Sequence, residues 1–269
     1  MIPRDYKTIL VEKDGAVDWL MLNRPEHLNA LNTTLVAELS QYFLDVATDP
    51  QVRIVVIKGA GRAFCAGLDL AEAIPPDNFD MTAGLARQRS IVEIVLRMQR
   101  APQAIVSLIQ GPACGGGFAI ALASDIRVAS ESARMNAAFI RIGLSACDIG
   151  VSYFLPRLVG TSVAFELMMT GAFIDASRAL SLGLVSRVVP EAELSNAVRP
   201  YLEAMLTTAP LGLRLTKECL RMSIDAPSLE AAVAMEDRNQ VLCARSPDFK
   251  EGVAAFLEKR RPNYTVAAQ

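Results

Sequence analysis

Two short runs, "RIVVIKG" (53 to 59) and "QAIVSLIQG" (103 to 111), are apolar at neighbouring rather than alternate positions, and each opens into a glycine-containing loop. Successive residues of a strand point to opposite faces of the sheet, so a strand apolar throughout has to be covered on both sides. Such strands belong at the centre of a sheet lying between helical layers. The segment joining them, "MTAGLARQRSIVEIVLRMQRA", places Leu85, Ile91, Ile94, Val95 and Met98 at helical spacing, which predicts a helix with those residues inward. Strand, helix and strand in that order favour an α/β fold.

The rest of the chain extends this pattern. "KTILVE" and "AVDWLML" read as a hairpin turning at "KDGA", and Leu35, Leu39, Tyr42, Phe43 and Val46 predict a helix over 33 to 48. After "GPACGGG" come a short apolar helix and the candidate strands "DIRVAS", "ARMNA" and "LVSRVVP". From about residue 192 only helical patterns remain, broken at Pro210, Pro227 and the Ser246-Pro247 pair, which suits an N-cap followed by proline in the first turn. This divides the chain into an α/β core, 1–191, and a helical region, 192–269. With 269 residues the chain is expected to bury roughly three quarters of its unfolded surface.

The formal net charge is -2 with both signs interspersed, so no basic stripe suggests nucleic acid as a partner. The amino-terminal "MIPRDYKTILVEKDG" has neither the apolar segment nor the cleavage site of a leader, and no apolar run approaches the length of a membrane span. A soluble, cytoplasmic protein is expected. Five cysteines in no zinc-like spacing fit a reducing compartment and suggest no metal.

Loops that leave central strands are where α/β proteins build their sites. Gly59 and Gly61 in "GAGRAFCAGLDL" begin a GxGxxG pattern, but Phe64 occupies the third glycine position and no helix starts there, which argues against a dinucleotide site. A phosphate-binding GK[ST] is absent. Gly115, Gly116 and Gly117, directly before a helix, leave backbone N–H groups open where the helix dipole adds positive potential, a setting that stabilises an oxyanion. Close packing of helix on strand explains the same glycines. Asp69, three residues before Glu72, reads as a helix N-cap.

"NRPEHLNAL" (23 to 31), "AFCAGLDL" (63 to 70), "GPACGGG" (111 to 117), "ASDIRVAS" (123 to 130), "SYFLPRLVG" (152 to 160) and "EGVAAFLEKRRP" (251 to 262) occur in an order and spacing that resembles the crotonase, or enoyl-CoA hydratase/isomerase, family. The resemblance spans nearly the whole chain. It implies a spiral of ββα units, a C-terminal helical region driving assembly into a homotrimer or a dimer of trimers, and an acyl-CoA thioester as substrate, with coenzyme A entering only as part of that substrate and no separate cofactor. It also implies that the N–H groups of Leu68 and Gly116 hold the thioester oxygen, where one such donor is worth roughly 3 to 4 kcal/mol of barrier. Arg24, Ala63, Ala66 and Lys259 are the positions it marks for the adenosine diphosphate part, although Arg24 and Lys259 also read as ordinary solvated charges.

Hydratases of the family carry two glutamates where this chain has Ala119 and Phe139. Neither side chain transfers a proton, and hydration of a double bond needs both a base for water and an acid for carbon. Asp148 stands where family members such as the ring-epoxide and enoyl isomerases of phenylacetate breakdown and the 4-chlorobenzoyl-CoA dehalogenases carry a catalytic aspartate, in a loop one residue longer than in some of them. One carboxylate suffices for an allylic proton shift. Asp148 also reads as the N-cap of a helix starting near residue 149. The expected activity is therefore double-bond isomerisation through Leu68, Gly116 and Asp148. A hydratase using other carboxylates, such as Glu72 or Glu93, and a non-catalytic acyl-CoA-binding paralogue remain open beside it.

Other candidates carry less. His27 is the single histidine and lies in the "NRPEHLNAL" turn, far from any serine elbow, so a Clp-type protease triad is not supported. Cys65, Cys114 and Cys147 adjoin the site loops but have no basic neighbour to activate them and read as packing residues. Arg141 is expected to pair with a surface acid.

Overall fold

A computed structural model describes residues 5–73 and 80–264 of the chain. The hairpin forms from β1 (Ile9–Asp14) and β2 (Val17–Leu22), paired antiparallel from Ile9 opposite Leu22 to Asp14 opposite Val17. Gly15, with φ +60°, supplies the left-handed turn between them. Helix α1 (Thr33–Val46) follows, its Asn32 side chain accepting the Leu35 N–H at 2.9 Å as N-cap. The two apolar runs are β3 (Ile54–Gly59) and β4 (Ala104–Ile109). Between them lie the short α2 (Leu70–Ala73) and the long α3 (Met81–Arg100).

Beyond β4 the chain forms β5 (Pro112–Cys114), α4 (Gly116–Ala123), β6 (Ile126–Ser130) and β7 (Arg134–Asn136). Helices α5 (Val151–Val159) and α6 (Thr161–Thr170), strand β8 (Ile174–Asp175), helix α7 (Ala176–Ser181) and strand β9 (Arg187–Val189) come next. The described remainder is helical: α8 (Leu194–Ala197), α9 (Arg199–Leu206), α10 (Pro210–Ser223), α11 (Leu229–Arg245) and α12 (Pro247–Leu257). A six-stranded sheet runs in the order β1-β2-β3-β4-β6-β9, parallel from β2 onward, and a three-stranded sheet runs β5-β7-β8.

Both faces of the large sheet are covered, as the continuous apolar runs require. Val55 and Ile57 of β3 face a core shared with α1, α3, α4 and α5, while Ile54 and Val56 face a second core. That second core is closed by Leu194, Ala197, Val198 and Leu202, so the first helices after β9 form the sheet's other layer. Burying each such aliphatic side chain contributes about 1.5–3 kcal/mol.

Polar clips fix the last helices to the sheet. Asp125, just before β6, accepts from the Ile105 N–H at 2.7 Å and pairs with Lys217 at 2.8 Å and Arg221 at 2.9 Å, both on α10. Arg53 donates to the carbonyls of Met205, Leu206 and Thr208 at 3.0, 2.8 and 2.7 Å, satisfying the open end of α9. The prolines act as helix starts. Pro210 and Pro247 occupy the first turns of α10 and α12, and Pro227 precedes Ser228, the N-cap of α11.

One expectation for α3 is corrected. Ile91, Ile94, Val95 and Met98 are buried, but Leu85 is 52% exposed. At 20 residues the helix spans about 30 Å, and its buried residues begin only at Ile91, so its first turns lie outside the core.

Candidate active site

The first glycine loop is threaded between two other segments. Phe64 and Cys65 donate to the Pro112 carbonyl at 3.0 and 3.2 Å, and Cys114 donates back to the Cys65 carbonyl at 2.9 Å. On the other side Leu31 donates to Gly67 O at 2.7 Å and Asp69 donates to Leu31 O at 3.1 Å. Bonding through residues 67 and 69 leaves the N–H of Leu68 directed away from Leu31. Among the described residues, no hydrogen-bond acceptor meets that N–H.

The second loop gives the matching group. Gly115 donates to Asn136 O at 2.9 Å, and α4 then starts at Gly116, whose N–H is one of the unsatisfied donors of a helix amino terminus. Among the described residues it too meets no acceptor. The loops touch: a Cβ on Gly67 would sit 3.4 Å from Gly116 N and 2.7 Å from Cys114 O.

The glycines divide the two explanations offered for them. Gly117 answers to packing, since a Cβ there would come within 2.2 Å of the Cys65 carbonyl oxygen. Gly115 has φ +49° and ψ −116°, a backbone that L side chains avoid, and this conformation aims the Gly116 N–H out of the helix end. Packing and an exposed donor coexist, assigned to different residues.

A cavity of about 110 Å³ opens in front of these loops, lined by Leu68, Leu70, Gln88, Phe139, Asp148 and Ile149 among others. Asp148 is the only titratable side chain on this wall among the described residues. Ala119, by contrast, is fully buried in α4, and Phe139 lays its ring against Gly115, Cε1 being 3.4 Å from where a Cβ would stand. The two glutamate positions are thus filled with hydrocarbon.

Asp148 does not cap a helix. Helix α5 starts at Val151 with Gly150 as its N-cap and no side-chain cap bond, correcting the alternative reading of the aspartate. Ile149 and Gly150 both have positive φ, +46° and +82°, so a left-handed bend separates Asp148 from the first turn of α5. A left-handed isoleucine is strained by on the order of 1–2 kcal/mol. The Oδ1 atom accepts the Ile149 N–H at 2.7 Å and the side-chain amide of Gln88 from α3. Half-burial in an apolar wall pushes the carboxyl above the usual aspartate range, against the opposing effect of these two donors.

The remaining candidates separate clearly. Ala66 lines the cavity, its N–H held by Leu28 O at 2.9 Å. Ala63 is fully buried, with its carbonyl taken by the amides of Asn29 and Gln110 at 2.9 and 3.2 Å. Arg24 is not a solvated charge: its side chain is 11% exposed, pairs with Asp69 at 2.9 Å and donates to Ala30 O at 2.5 Å. Lys259 is exposed just beyond α12. Ala66 alone of these four is on the cavity wall.

Asp69 does meet the Ala71 N–H at 3.2 Å, but Glu72 reaches across to Thr33, accepting from both its N–H and its hydroxyl at 2.9 Å. Glu93 pairs with Arg97. Neither acid is on the cavity wall. Cys65 and Cys114 have thiols pushed up by burial to about 12 and about 11, whereas Cys147 is exposed and is not a packing residue. His27 is exposed in the turn Pro25–His27. Among the described residues no acid lies within ion-pair distance of Arg141, and no group of three or more His, Cys, Asp or Glu is placed to hold a metal ion.

Sequence reasoning passed over Gln88. It lies on the same helical stripe as Ile91, Val95 and Met98, where an amide interrupts an otherwise apolar pattern, and that interruption was the available signal.

Comparison with known proteins agrees with this architecture. The family model for enoyl-CoA hydratase/isomerase matches residues 12–267, and the chain belongs to that family. It is 39% identical over 251 residues to the probable enoyl-CoA hydratase EchA12 of Mycobacterium tuberculosis, covering 91% of this chain and 88% of that one. It is 33% identical to the 1,2-epoxyphenylacetyl-CoA isomerase of Escherichia coli, covering 96% and 98% of the two chains. The crystal structure of a putative enoyl-CoA hydratase from Streptomyces coelicolor superposes with a TM-score of 0.93 at 33% identity, covering 99% of this chain and 98% of the other. The α/β crotonase fold expected from the sequence is the fold observed.

Proposed function

We propose that the protein shifts a carbon–carbon double bond within an acyl-CoA thioester. The observation that carries this reading is that Asp148 is the one titratable side chain on the wall of a cavity that also holds Leu68 and the glycine loop ahead of Gly116, among the described residues. Asp148 removes a proton from the carbon beside the double bond. The C–H bond breaks, an O–H bond forms on the carboxylate, and the electron pair spreads onto the thioester oxygen. The N–H groups of Leu68 and Gly116 hold that oxygen as its charge develops, each worth roughly 3 to 4 kcal/mol. The same proton then returns to the far carbon, so no second acid is required.

A carboxyl with a raised pKa suits this task, because base and conjugate acid come closer in free energy and the proton is both taken and given back. The name of the E. coli relative, an isomerase of an acyl-CoA, supports the reading. Hydration is the second reading, favoured by the name of the M. tuberculosis relative. It would need Asp148 to serve water and carbon alike, since hydrocarbon occupies the two glutamate positions.

Ala66, on the cavity wall, serves the adenosine diphosphate part of coenzyme A. Lys259, exposed just beyond α12 and without an ion-pair partner among the described residues, serves a phosphate, while Arg24 supports the loop through Asp69 and Ala63 does so through its carbonyl. The carboxy-terminal helices leave Phe256 83% exposed and Leu257 73% exposed, which suits burial against further copies in a trimer or a dimer of trimers. Among the described residues no helix is long and apolar enough to cross a membrane, and a cytoplasmic setting fits a coenzyme A thioester as substrate.

A panel of 3-enoyl-, 2-enoyl- and dienoyl-CoA substrates with wild type and Asp148→Asn tests the proposal. Isomerisation lost in Asp148→Asn is the expected result. Equal turnover by both proteins would sink it, and water addition without isomerisation would replace it with the hydratase reading.

A further inference from the structure

The hydrogen bonds around Asp148 are unevenly shared. Oδ1 accepts from two donors, the Ile149 N–H at 2.7 Å and the Gln88 side-chain amide, and among the described residues Oδ2 accepts from none. The donors come from different elements, the bend before α5 and the middle of α3, so they fix both the position of the carboxylate and its rotation about the Cβ–Cγ bond. Gln88 also lines the cavity.

We infer that Gln88 is a positioning residue for the proton transfer: by holding Oδ1 it leaves Oδ2 as the atom that takes and returns the proton. This inference rests on the reading of Asp148 as the proton carrier. Its chemical sense lies in what happens when the proton arrives. A carboxylic acid protonated on Oδ2 keeps Oδ1 as a carbonyl acceptor, so both hydrogen bonds survive in either state. The carboxyl therefore need not rotate between taking the proton and giving it back, and the return is aimed from the same place.

Gln88 suits this role better than a charged residue would. A cation there would hold the carboxylate down and make it a poor base, while an acid would compete for the same proton. Around Asp148 the cavity is lined from α3 by Gln88 and Ile91, from the first glycine loop by Leu68, from the segment after β7 by Phe139 and from the bend by Ile149, and among the described residues no other lining side chain is titratable. Burial raises the carboxyl and the two donors oppose it, so loss of the Gln88 donor is expected to raise it further.

The test compares wild type, Gln88→Met and Asp148→Asn on whichever member of the enoyl-CoA panel the wild type isomerises, with the Asp148 side-chain carboxyl also titrated by carbon-13 NMR. Gln88→Met is expected to lower kcat by about 10- to 100-fold with little change in KM, the cost of a misaimed group. The acidic limb of kcat/KM and the NMR titration of Asp148 should both move to higher pH. An inactive Asp148→Asn beside a Gln88→Met that keeps kcat and the wild-type pH limb would overturn the role of Gln88 alone. A Gln88→Met that loses activity and melts early while Asp148 titrates as in wild type would also overturn it, reducing Gln88 to a packing residue. A fully active Asp148→Asn would remove the underlying reading instead. Should Gln88→Met not fold, Gln88→Asn, one methylene too short to reach Oδ1, carries the same expectations, and the NMR titration needs no substrate.

Discussion

Gly117 and the Cys65 carbonyl are in backbone contact, leaving no room for a methyl group: a Cβ on Gly117 would stand 2.2 Å from that oxygen. Gly117→Ala therefore has to push α4 away from the first glycine loop, and overpacking of this kind costs typically 1–3 kcal/mol. The nearest atoms that Gly116→Ala would meet are the Cδ1 atoms of Leu31 at 2.7 Å and Ile149 at 3.4 Å, side-chain ends that can move. Denaturant unfolding should rank Gly117→Ala as the more damaging of the two. Activity should fall in both, because each alters the surroundings of the Gly116 N–H.

Asp148→Asn should lose turnover by about 10²- to 10⁴-fold, the range for removing a general base. It should not lose stability. The folded-state pKa of Asp148 is raised, so the ionised carboxylate is less comfortable in the fold than in the unfolded chain above that pKa. Replacing it with a neutral amide removes this penalty. Thermal melting near pH 7 is expected to place Asp148→Asn at or above wild type, with the difference shrinking as pH falls and Asp148 becomes protonated.

The same shift sets the pH profile. The base form of Asp148 is lost as pH falls through a pKa above the usual aspartate value, so the acidic limb of kcat/KM should lie higher than an exposed aspartate would place it. Steady-state rates across the acidic range check this. A limb at the ordinary aspartate position would show that the cavity is wetter during turnover than its apolar wall implies.

At the opposite end of the sheet, the Asp125 clip makes a prediction about stability. The Lys217 side chain is 9% exposed, and burial lowers its pKa from 10.5 to about 8 despite the pull of Asp125. Between those values the unfolded chain binds a proton that the folded chain does not, so this group makes the protein more stable as pH rises from about 8 towards 10.5. Denaturant midpoints over that range should carry this upward contribution in wild type and lose it in Lys217→Met. Asp125→Ala leaves Lys217 buried without its counter-charge, only the Gln103 carbonyl still accepting from it, and should cost about 3–5 kcal/mol at pH 7.

The strands of the large sheet and the buried faces of α1 and α3 were legible because their apolar periods differ and neither depends on distant partners, whereas β5 and β8, three and two residues long, are too short to carry a period and were not read as strands. Leu85 was misplaced because periodicity tells which side of a helix is apolar, not how far the neighbouring layer extends. The triple glycine pointed to an open amide or to close packing without choosing between them, and the Leu68 amide came only from the family resemblance; the division of labour, with Gly117 for packing and Gly115 for the turn, needed the third dimension. Asp148 could be singled out on sequence, but that it does not cap α5 turned on a left-handed Ile149. A β-branched residue is the last place one would predict such a bend. Arg24 looked like a surface charge because its partner, Asp69, lies in another motif.

The covering of the second sheet face by residues 194–202 also bears on how the protein is made. Ile54, Val56, Val106 and Val128 wait for that cover while the ribosome lengthens the chain from β6 to α9, a delay on the order of ten seconds at roughly 5 to 20 residues per second. Throughout that interval the nascent chain presents one bare aliphatic face. Release of a chain stopped before α8 would leave the face permanently uncovered, so a truncated product should be a client for chaperones or proteases rather than a smaller working enzyme.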